Sequence, residues 1–309
     1  MRVFRSPAEV PADFGPSAVT VGKFDGVHTG HRAVIAELER VAAARGLASA
    51  VVTFDRNPLE VLAPDKCPES LVSVPQKLDL LAESGLDATL MLTFDRALSR
   101  RTAEEFVKDI LVDGLGAVTV MVGSDFRFGA GGSGNVVVLR DLGEKYGFEV
   151  DLIDDVRPPG GERVSSTGIR RLLAAGDVAQ AARLLGHLHF VRGIVVHGAK
   201  RGRELGFPTA NLSAELEGLI PADGVYAGWL EVGDQRYPAA ISVGNNPTFE
   251  GVPQRQVEAY VIDRDLDLYD RVVAVSFVDH IRGMVAFTGV DALIDQIGAD
   301  VERARRILA

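Results

Sequence analysis

The sequence contains one cysteine, Cys67, among its 309 residues, and no apolar run approaches the length of a membrane-spanning helix. A single cysteine excludes an intramolecular disulfide and a zinc site built from four cysteines. A membrane helix needs about 18 consecutive apolar residues, and the N-terminus also lacks the apolar stretch of a secretory signal peptide. We therefore expect a cytoplasmic protein with no membrane partner.

An excess of positive charge is also missing, since 33 Lys and Arg stand against 43 Asp and Glu, for a net charge of -10. Proteins that bind nucleic acid usually carry a basic surface, so we expect no nucleic-acid partner. The length and the 47% hydrophobic content are sufficient for about two domains. Small molecules are the expected partners, with weak self-association left open.

The first half of the chain alternates short apolar runs with segments of helical periodicity, which is typical of βαβ units and a parallel sheet. A helix over 31–45 is predicted to end at Gly46, and one over 102–115 to begin with a capping box formed by Thr102 and Glu105. The predicted strands are AVTVG, ASAVVTF, ATLMLTF, AVTVMVG and EVDLID. The first domain is therefore predicted to be α/β.

After a helix predicted over 177–186, the pattern changes to strands separated by turns rich in Gly, Pro and Asp. These strands are HFVRGIVVHG, GVYAGWLEV, QRYPAAISVG, RQVEAYVID and RVVAVSFVDH. The pattern predicts an all-β domain, a small barrel, followed by an amphipathic helix over about 291–308. We place the two domains at 1–184 and 185–309.

The first chemical constellation lies where a predicted strand runs into a helix, in VTVGKFDGVHTGH. Gly22, Phe24 and Asp25 precede His28 and His31, which stand at the helix start. A helix N-terminus offers unpaired N–H groups and a partial positive charge, so a phosphate can bind there with two imidazoles directed at it. The bare spacing is more often a helix cap, but the preceding strand and GxFDG favour phosphate chemistry at the strand ends.

A second cluster, in SSTGIRR, stands at the start of a helix predicted over 165–175. Ser165, Ser166, Thr167 and Arg170 supply hydroxyls, amides and a guanidinium, a combination that suits the β- and γ-phosphates of a nucleotide. Alone, such a cluster is more often a helix cap with an exposed arginine. The cluster is interpreted as a phosphate-binding motif because it occurs together with HxGH.

Between these two motifs lies GSDFRFGAGGSGN, in which Asp125, Phe126 and Phe128 precede a glycine-rich loop. The segment could enclose a planar ring or a phosphate. Its glycines match neither a Walker A motif nor GxGxxG, so a flexible surface turn is the alternative. We predict a binding role for the loop.

A further constellation occupies HGAKRGRELGFPTANL in the second half of the chain. Its backbone and positive charges could hold phosphates, and the hydroxyl of Thr209 and the amide oxygen of Asn211 are hard ligands that suit a magnesium ion bound to ATP. On spacing alone, however, a polar turn is favoured. The candidate binding residues are Gly198, Lys200, Gly202, Gly206, Pro208, Thr209 and Asn211.

The HxGH spacing resembles a nucleotidylyltransferase signature. Through GKFDGVHTGH, TFDRNP, GSDFRFG and SSTGIR, residues 16 to 184 resemble the adenylyltransferase module of prokaryotic bifunctional FAD synthetases. This resemblance implies a Rossmann-like fold in which His28, His31 and Arg170 are catalytic and stabilise charge on the transferring phosphates. Asn57 stands where we often expect His, and Asp125 where some relatives have Asn; both are predicted to bind substrate.

Residues from 187 to the C-terminus resemble riboflavin kinases through GFPTAN, PADGVYAGW and ISVGNNPTF. The resemblance implies a six-stranded barrel in which Thr209 and Asn211 bind Mg-ATP. It also implies that Glu258, in RQVEAYVID, takes the proton from the ribityl 5′-hydroxyl. Without the resemblance, Glu258 would be an ordinary solvent-facing carboxylate.

Together the two resemblances imply a bifunctional enzyme that converts riboflavin and ATP to FMN, and then FMN and ATP to FAD and pyrophosphate, with Mg²⁺ at each site. One alternative keeps HxGH but assigns another acceptor, such as nicotinamide mononucleotide or phosphopantetheine, or places the chain among class I tRNA synthetases. GFPTAN argues against all three. In the other alternative, one module only binds flavin or nucleotide.

Overall fold

The computed structural model describes residues 1–153, 163–198, 205–244, 255–287 and 289–309. The chain divides into two compact units, Met1–Ser165 and Ser166–Ala309. Lys200 and Gly202, two of the predicted binding residues, lie outside the described residues. Within the described ranges, no helix has both the length and the apolar character needed to cross a membrane.

The first unit is built on a six-stranded sheet with the order β1-β4-β3-β2-β5-β6, and every pair of neighbouring strands is parallel. All five residues of β2 and of β4 are buried, as expected for strands covered on both faces. The predicted parallel α/β fold is confirmed. The strands are β1 Arg2–Phe4, β2 Ser17–Val21, β3 Ala48–Phe54, β4 Ala88–Leu92, β5 Ala117–Gly123 and β6 Glu149–Ile153.

The helices of this unit begin and end at the signals that the sequence carries. Helix α1 starts two residues earlier than predicted, with His28 as N-cap, and ends at Gly46 in the left-handed conformation. Thr102 and Glu105 form the predicted capping box of α4, although the chain then continues as a π-helix before α5. The helical segments are α1 Thr29–Arg45, α2 Pro58–Leu62, α3 Val74–Ala82, α4 Ala103–Phe106, the π-helix Val107–Val112, α5 Asp113–Leu115 and α6 Val136–Tyr146.

The position of β2 determines where a ligand can bind in this sheet. From β2 the chain passes through α1 to β3 on one side, whereas the strand on the other side of β2 is β5. Where the connections from two neighbouring parallel strands lead to opposite sides of the sheet, a crevice forms outside the carboxyl ends of those strands, and ligands of open α/β sheets bind there. Residues 22–28, which follow β2, and residues 124–128, which follow β5, lie at this edge.

The second unit contains a closed barrel of six antiparallel strands in the order β10-β11-β8-β7-β12-β9. Two helices precede the barrel, and a long helix, α9, follows it and packs against β9, β10 and β12. The predicted barrel and terminal helix are confirmed. The elements are α7 Ser166–Ala174, α8 Val178–Leu185, β7 His189–Val196, β8 Thr209–Leu212, β9 Gly224–Val232, β10 Gln235–Gly244, β11 Gln256–Val261, β12 Val272–Arg282 and α9 Val290–Leu308.

One prediction from spacing alone was wrong. The segment that contains Thr209 and Asn211 was expected to be a polar turn, but Thr209–Leu212 forms strand β8. It pairs with β7 on one side and with β11 on the other. In β11, Val257 and Ala259 are fully buried, whereas Glu258 and Tyr260 face the opposite side. Tyr260 packs in the cluster that contains the α9 residue Val301, so Glu258 lies on the outer face of the barrel.

Candidate active sites

The loop between β2 and α1 has a strained backbone conformation, which is stabilised by the packing of its side chains. Phe24 and Val27 have positive φ angles of 49° and 38° and are 2% and 0% exposed. Such a conformation costs about 1–3 kcal/mol for a residue with a side chain. A Cβ on Gly22 would lie 2.9 Å from the Phe24 ring, so glycine is needed there. The core therefore fixes the loop that presents the two histidines.

The two histidines form a stacked pair at the start of α1. Nδ1 of His28 accepts a hydrogen bond from the backbone N–H of His31, at 3.3 Å. The ring centroids lie 3.6 Å apart, with 13° between the ring planes. A Cβ on Gly30 would come within 3.1 Å of the His28 ring, which explains why glycine stands between the histidines.

Both imidazoles are uncharged at neutral pH. Burial lowers the pKa of His28 to about 4, and the positive charge of Arg163 adds to this effect. Burial also holds the pKa of His31 well below its usual value, with contributions from His28, Lys77, Lys23 and Arg163. Nδ1 of His31 is enclosed and has no hydrogen-bond partner within the described part of the chain. A ligand oxygen or a proton donor would satisfy this atom.

Asp125, at the carboxyl end of β5, pairs with an arginine that the sequence did not single out. Nη1 of Arg163 donates to Oδ2 of Asp125 at 2.6 Å, and this bond lowers the pKa of the aspartate. About half of each side chain remains exposed. The only signal in the sequence was a basic residue just before SSTGIR.

The glycine-rich loop after β5 is held closed by its own backbone. Phe128 and Gly134 exchange two backbone hydrogen bonds, of 3.2 and 2.9 Å. Phe128 is 7% exposed and belongs to the core, whereas Phe126 is half-buried and stacks on it with centroids 5.2 Å apart. The structure gives Phe128 a packing role and leaves Phe126 as the more accessible ring.

Two other predicted binding residues hold the local backbone. Oδ1 of Asp25 accepts from the N–H of Leu71 at 2.8 Å, which ties the histidine loop to the segment before α3. Asn57 caps α2 by accepting from the N–H of Leu59 at 3.1 Å, and Glu60 completes the capping box. A substrate contact by either residue stays a prediction.

The boundary between the two units falls within the SSTGIR segment of the chain. Ser165 is the last residue of the first unit, whereas Ser166, Thr167 and Arg170 belong to α7 of the second. The predicted helix start is confirmed to within one residue. A catalytic role for Arg170 stays a prediction.

A second polar cluster lies on the outer face of the barrel. The register places Asn211 of β8 directly opposite Glu258 of β11, and Thr209 hydrogen-bonds to the Glu258 carboxyl group. Nδ2 of Asn211 donates to the carbonyl oxygen and to the hydroxyl of Thr209, at 3.1 and 3.2 Å. A Cβ on Gly198 would lie 2.6 Å from the Asn211 side chain, so glycine permits this close approach.

Burial raises the pKa of Glu258, and the hydrogen bond from Thr209 opposes this effect. A carboxylate with a raised pKa accepts a proton more readily than an exposed one. Among the other predicted residues, Gly206 lies in a turn with a φ of 86°, and Pro208 is half-buried just before β8. The structure thus brings Gly198, Thr209, Asn211 and Glu258 together.

The donor set of this cluster fits a nucleotide-bound magnesium ion. Among the described residues there is no group of three or more His, Cys, Asp or Glu side chains that could hold a metal. Magnesium on ATP takes most of its ligands from phosphates and water, and needs only one or two protein oxygens. The amide nitrogen of Asn211 makes the two side-chain hydrogen bonds given for this residue within the described ranges, so its Oδ1 and the hydroxyl of Thr209 can supply these oxygens.

Comparison with known proteins shows the family of the chain. The chain matches the family FAD synthetase over residues 10–168 and the family Riboflavin kinase over residues 185–308. The chain belongs to the bifunctional riboflavin kinase/FMN adenylyltransferase family. The protein from Escherichia coli K12 is 40% identical over 93% of this chain and 91% of its own, and that from Pseudomonas fluorescens is 39% identical over 94% and 92%.

A solved structure matches nearly the whole chain. It is named as a macrolide-efflux protein from Streptococcus pneumoniae, and superposes with a TM-score of 0.87 and 32% identity over 98% of each chain. From family membership it follows that the chain phosphorylates riboflavin to FMN and adenylylates FMN to FAD, in both cases with ATP. The predicted function is confirmed, whereas the residue roles stay proposals.

Proposed function

We propose that residues 1–184 carry the adenylyl transfer at His28 and His31, and that residues 185–309 carry the kinase reaction at Thr209, Asn211 and Glu258. The observation that supports the first site best is the enclosed, unpartnered Nδ1 of His31 in a stacked pair at a helix N-terminus. The second site is supported by the raised pKa of Glu258 beside the Thr209 hydroxyl.

In the adenylyl transfer, an oxygen of the FMN phosphate forms a bond to the α-phosphorus of ATP, and the bond to the leaving pyrophosphate breaks. His28 and His31 enter this reaction as neutral groups, because burial lowers the pKa of each. They hydrogen-bond the phosphate oxygens while the helix N-terminus contributes partial positive charge. Arg163 and, in our proposal, Arg170 balance the remaining negative charge.

In the kinase reaction, Glu258 takes the proton of the ribityl 5′-hydroxyl as that oxygen attacks the γ-phosphorus of ATP, and ADP leaves. The in-line geometry makes positioning and charge stabilisation the main contributions of the protein. We further propose that Thr209 and Asn211 hold a Mg²⁺ ion, which would neutralise charge on the ATP phosphates. Gly198 leaves room for the Asn211 side chain to take this position.

The test is to separate the two activities by substitution in the full chain. Purified unmutated protein, His28→Ala/His31→Ala and Glu258→Ala are incubated with riboflavin, ATP and Mg²⁺, and the flavins are separated by chromatography. We expect FAD from the unmutated protein, FMN without FAD from the double variant, and riboflavin unchanged by Glu258→Ala. Removal of transition-state contacts of this kind costs about 100- to 1,000-fold or more in rate.

Glu231→Ala is the matched control for Glu258→Ala, because Glu231 is a barrel carboxylate paired with Arg236 at about half exposure. We expect it to form FMN at the unmutated rate. FMN formation by Glu258→Ala at that same rate would exclude Glu258 as the base. Undiminished FAD formation by the double histidine variant would exclude the first site.

A further inference from the structure

Lys77 is a buried lysine at the edge of the sheet that carries the histidine pair. It lies on α3 and is 7% exposed, and its Nζ donates to the carbonyl oxygen of Phe54, the last residue of β3, at 2.9 Å. Lysine is rarely buried to this extent unless its charge is compensated, because removing an ammonium group from water costs several kcal/mol. The folded protein therefore keeps this charged group in its interior although burying the charge is unfavourable.

Three carboxylates compensate the Lys77 charge. Asp25, Asp55 and Glu60 each favour the charged ammonium, while burial lowers the pKa of the lysine overall. The hydrogen bond of the Lys77 side chain goes to the carbonyl oxygen of Phe54 and not to one of these carboxylates. Asp25 belongs to the loop that carries the histidines, and Asp55 follows β3, so Lys77 lies where these two segments and α3 meet.

Lys77 also acts on His31. Its positive charge disfavours a second positive charge on the imidazole, together with the charges of His28, Lys23 and Arg163. Lys23 is exposed and Arg163 is half-exposed, so solvent screens both more than it screens Lys77. Lys77 is thus the buried lysine or arginine that influences the ring with the unpartnered Nδ1.

We propose that Lys77 is a positioning residue of the adenylyl-transfer site, which ties α3 to the end of β3 and sets the electrostatic surroundings of His31. The proposal rests on the proposed role of His31 at the transferring phosphates. Lys77 acts through its hydrogen bond to Phe54 and through its charge, and does not itself contact the reacting atoms. Neither HxGH nor any other motif in the sequence indicated this residue.

Three variants of the full chain separate these effects. Lys77→Met removes both the charge and the hydrogen bond, Lys77→Gln removes the charge but keeps a donor for the Phe54 carbonyl, and Lys77→Arg keeps the charge. Lys66→Met is the matched control, because Lys66 is an exposed lysine in the same unit. Riboflavin phosphorylation by the same preparations serves as an internal reference.

Two measurements are made on each variant. The first is the pH titration of the His31 ring by NMR without substrates, assigned with the help of His31→Gln. The second is kcat and KM for FAD formation from FMN and ATP. In Lys77→Met and Lys77→Gln we expect the His31 pKa to rise, because a positive charge that disfavours the charged imidazole is removed. We also expect kcat to fall about tenfold or more while each KM changes less than about threefold.

Lys77→Arg is expected to restore the His31 titration, and Lys66→Met to leave both measurements unchanged. Should Lys77→Met fail to fold, Lys77→Gln carries the same test. An unmoved His31 titration in a folded neutral variant would overturn the proposal, as would a rise in KM alone, which would place Lys77 on the substrate. The titration needs no turnover, so failure of the unmutated protein to make FAD would refute the proposed function independently.

Discussion

At the scale of single residues, Glu258 occupies an environment that disfavours its charged form. Burial raises its pKa above the ordinary value of a glutamate, even though Thr209 donates a hydrogen bond to it. A carboxyl group whose pKa is raised by folding stabilises the protein at low pH, and that contribution is lost as the pH rises through the folded-state pKa. At neutral pH the charged carboxylate therefore opposes folding.

Replacement of Glu258 by Gln should raise thermal stability while it abolishes the kinase reaction. The neutral amide escapes the cost of burying a charge, so the melting temperature should increase at pH 8. The gain should disappear near pH 4, because the unfolded glutamate is itself protonated below about 4.3. Thermal unfolding at both pH values and a riboflavin phosphorylation assay measure these effects.

Glu231→Gln provides the comparison for this prediction. Glu231 and its partner Arg236 are both about half exposed, so replacing Glu231 removes little cost of burying a charge. It should change the melting temperature little at either pH. A lower melting temperature for Glu258→Gln than for the unmutated protein at pH 8 would contradict the argument.

The sequence identified the site residues whose motifs are local, and missed those whose role depends on tertiary contacts. His28 and His31 were found because HxGH follows a strand, and the structure brings their rings into contact. Lys77 lies in VPQKLDLLA, where its position is buried only because α3 packs over the end of β3. Arg163 pairs with Asp125 across 38 positions of sequence, a contact that no local pattern encodes.

At the scale of elements, α9 is held on the barrel by a buried ion pair. Arg282, at the end of β12, donates from Nε and Nη2 to the carboxylate of Asp300 in α9, with the shortest contact at 2.7 Å. Gln296 donates to the same carboxylate at 2.9 Å, and Asp300 is 5% exposed. A second pair, Arg305 with Asp263, also joins α9 to the barrel but lies at the surface.

Breaking the buried pair should destabilise the protein far more than breaking the exposed one. Asp300→Asn leaves a buried guanidinium without its counter-ion, and should lower the free energy of unfolding by about 3–5 kcal/mol. Asp263→Asn should change it little, because solvent screens an exposed pair and Asn also tolerates the positive φ of 58° at this position. Urea unfolding of the two variants measures the difference, and equal losses would refute it.

The long, regular elements were predictable, and the short or distorted ones were not. Strands β3, β5, β9 and β10 have the bounds that their apolar patterns predict. Strand β1 has three residues and β8 four, too few to show an alternation, and pairing with distant strands defines both. The π-helix after α4 has no sequence signal either, since its residues continue an ordinary helical pattern.

At the scale of the whole molecule, the two helices before the barrel belong to the same compact unit as the barrel. Helix α8 packs against β7 and β12 and buries Val178, Ala181 and Leu185. The N–H of Ala222 also donates to the carbonyl oxygen of Leu173 in α7, at 2.8 Å. The match to Riboflavin kinase begins at residue 185, after both helices.

We therefore expect a fragment spanning 166–309 to be more stable than one spanning 185–309, the domain proposed from the sequence. The shorter fragment exposes the barrel surface that α8 covers, and loses about 1.5–3 kcal/mol for each large apolar side chain no longer buried. Thermal unfolding of both fragments measures the difference, with riboflavin phosphorylation as the check on folding. Equal melting temperatures would show that α7 and α8 contribute little.

A cytoplasmic location and weak self-association stay predictions, but the strand edges bear on how the chain avoids aggregation. The closed barrel leaves no strand without a neighbour. In the other unit the described sheet ends in β1, which has three residues, and in β6, which carries exposed Glu149 and Asp151. Short or charged edge strands discourage a second molecule from adding its own strand. In the folded protein, both sheets thus disfavour amyloid-like pairing between molecules.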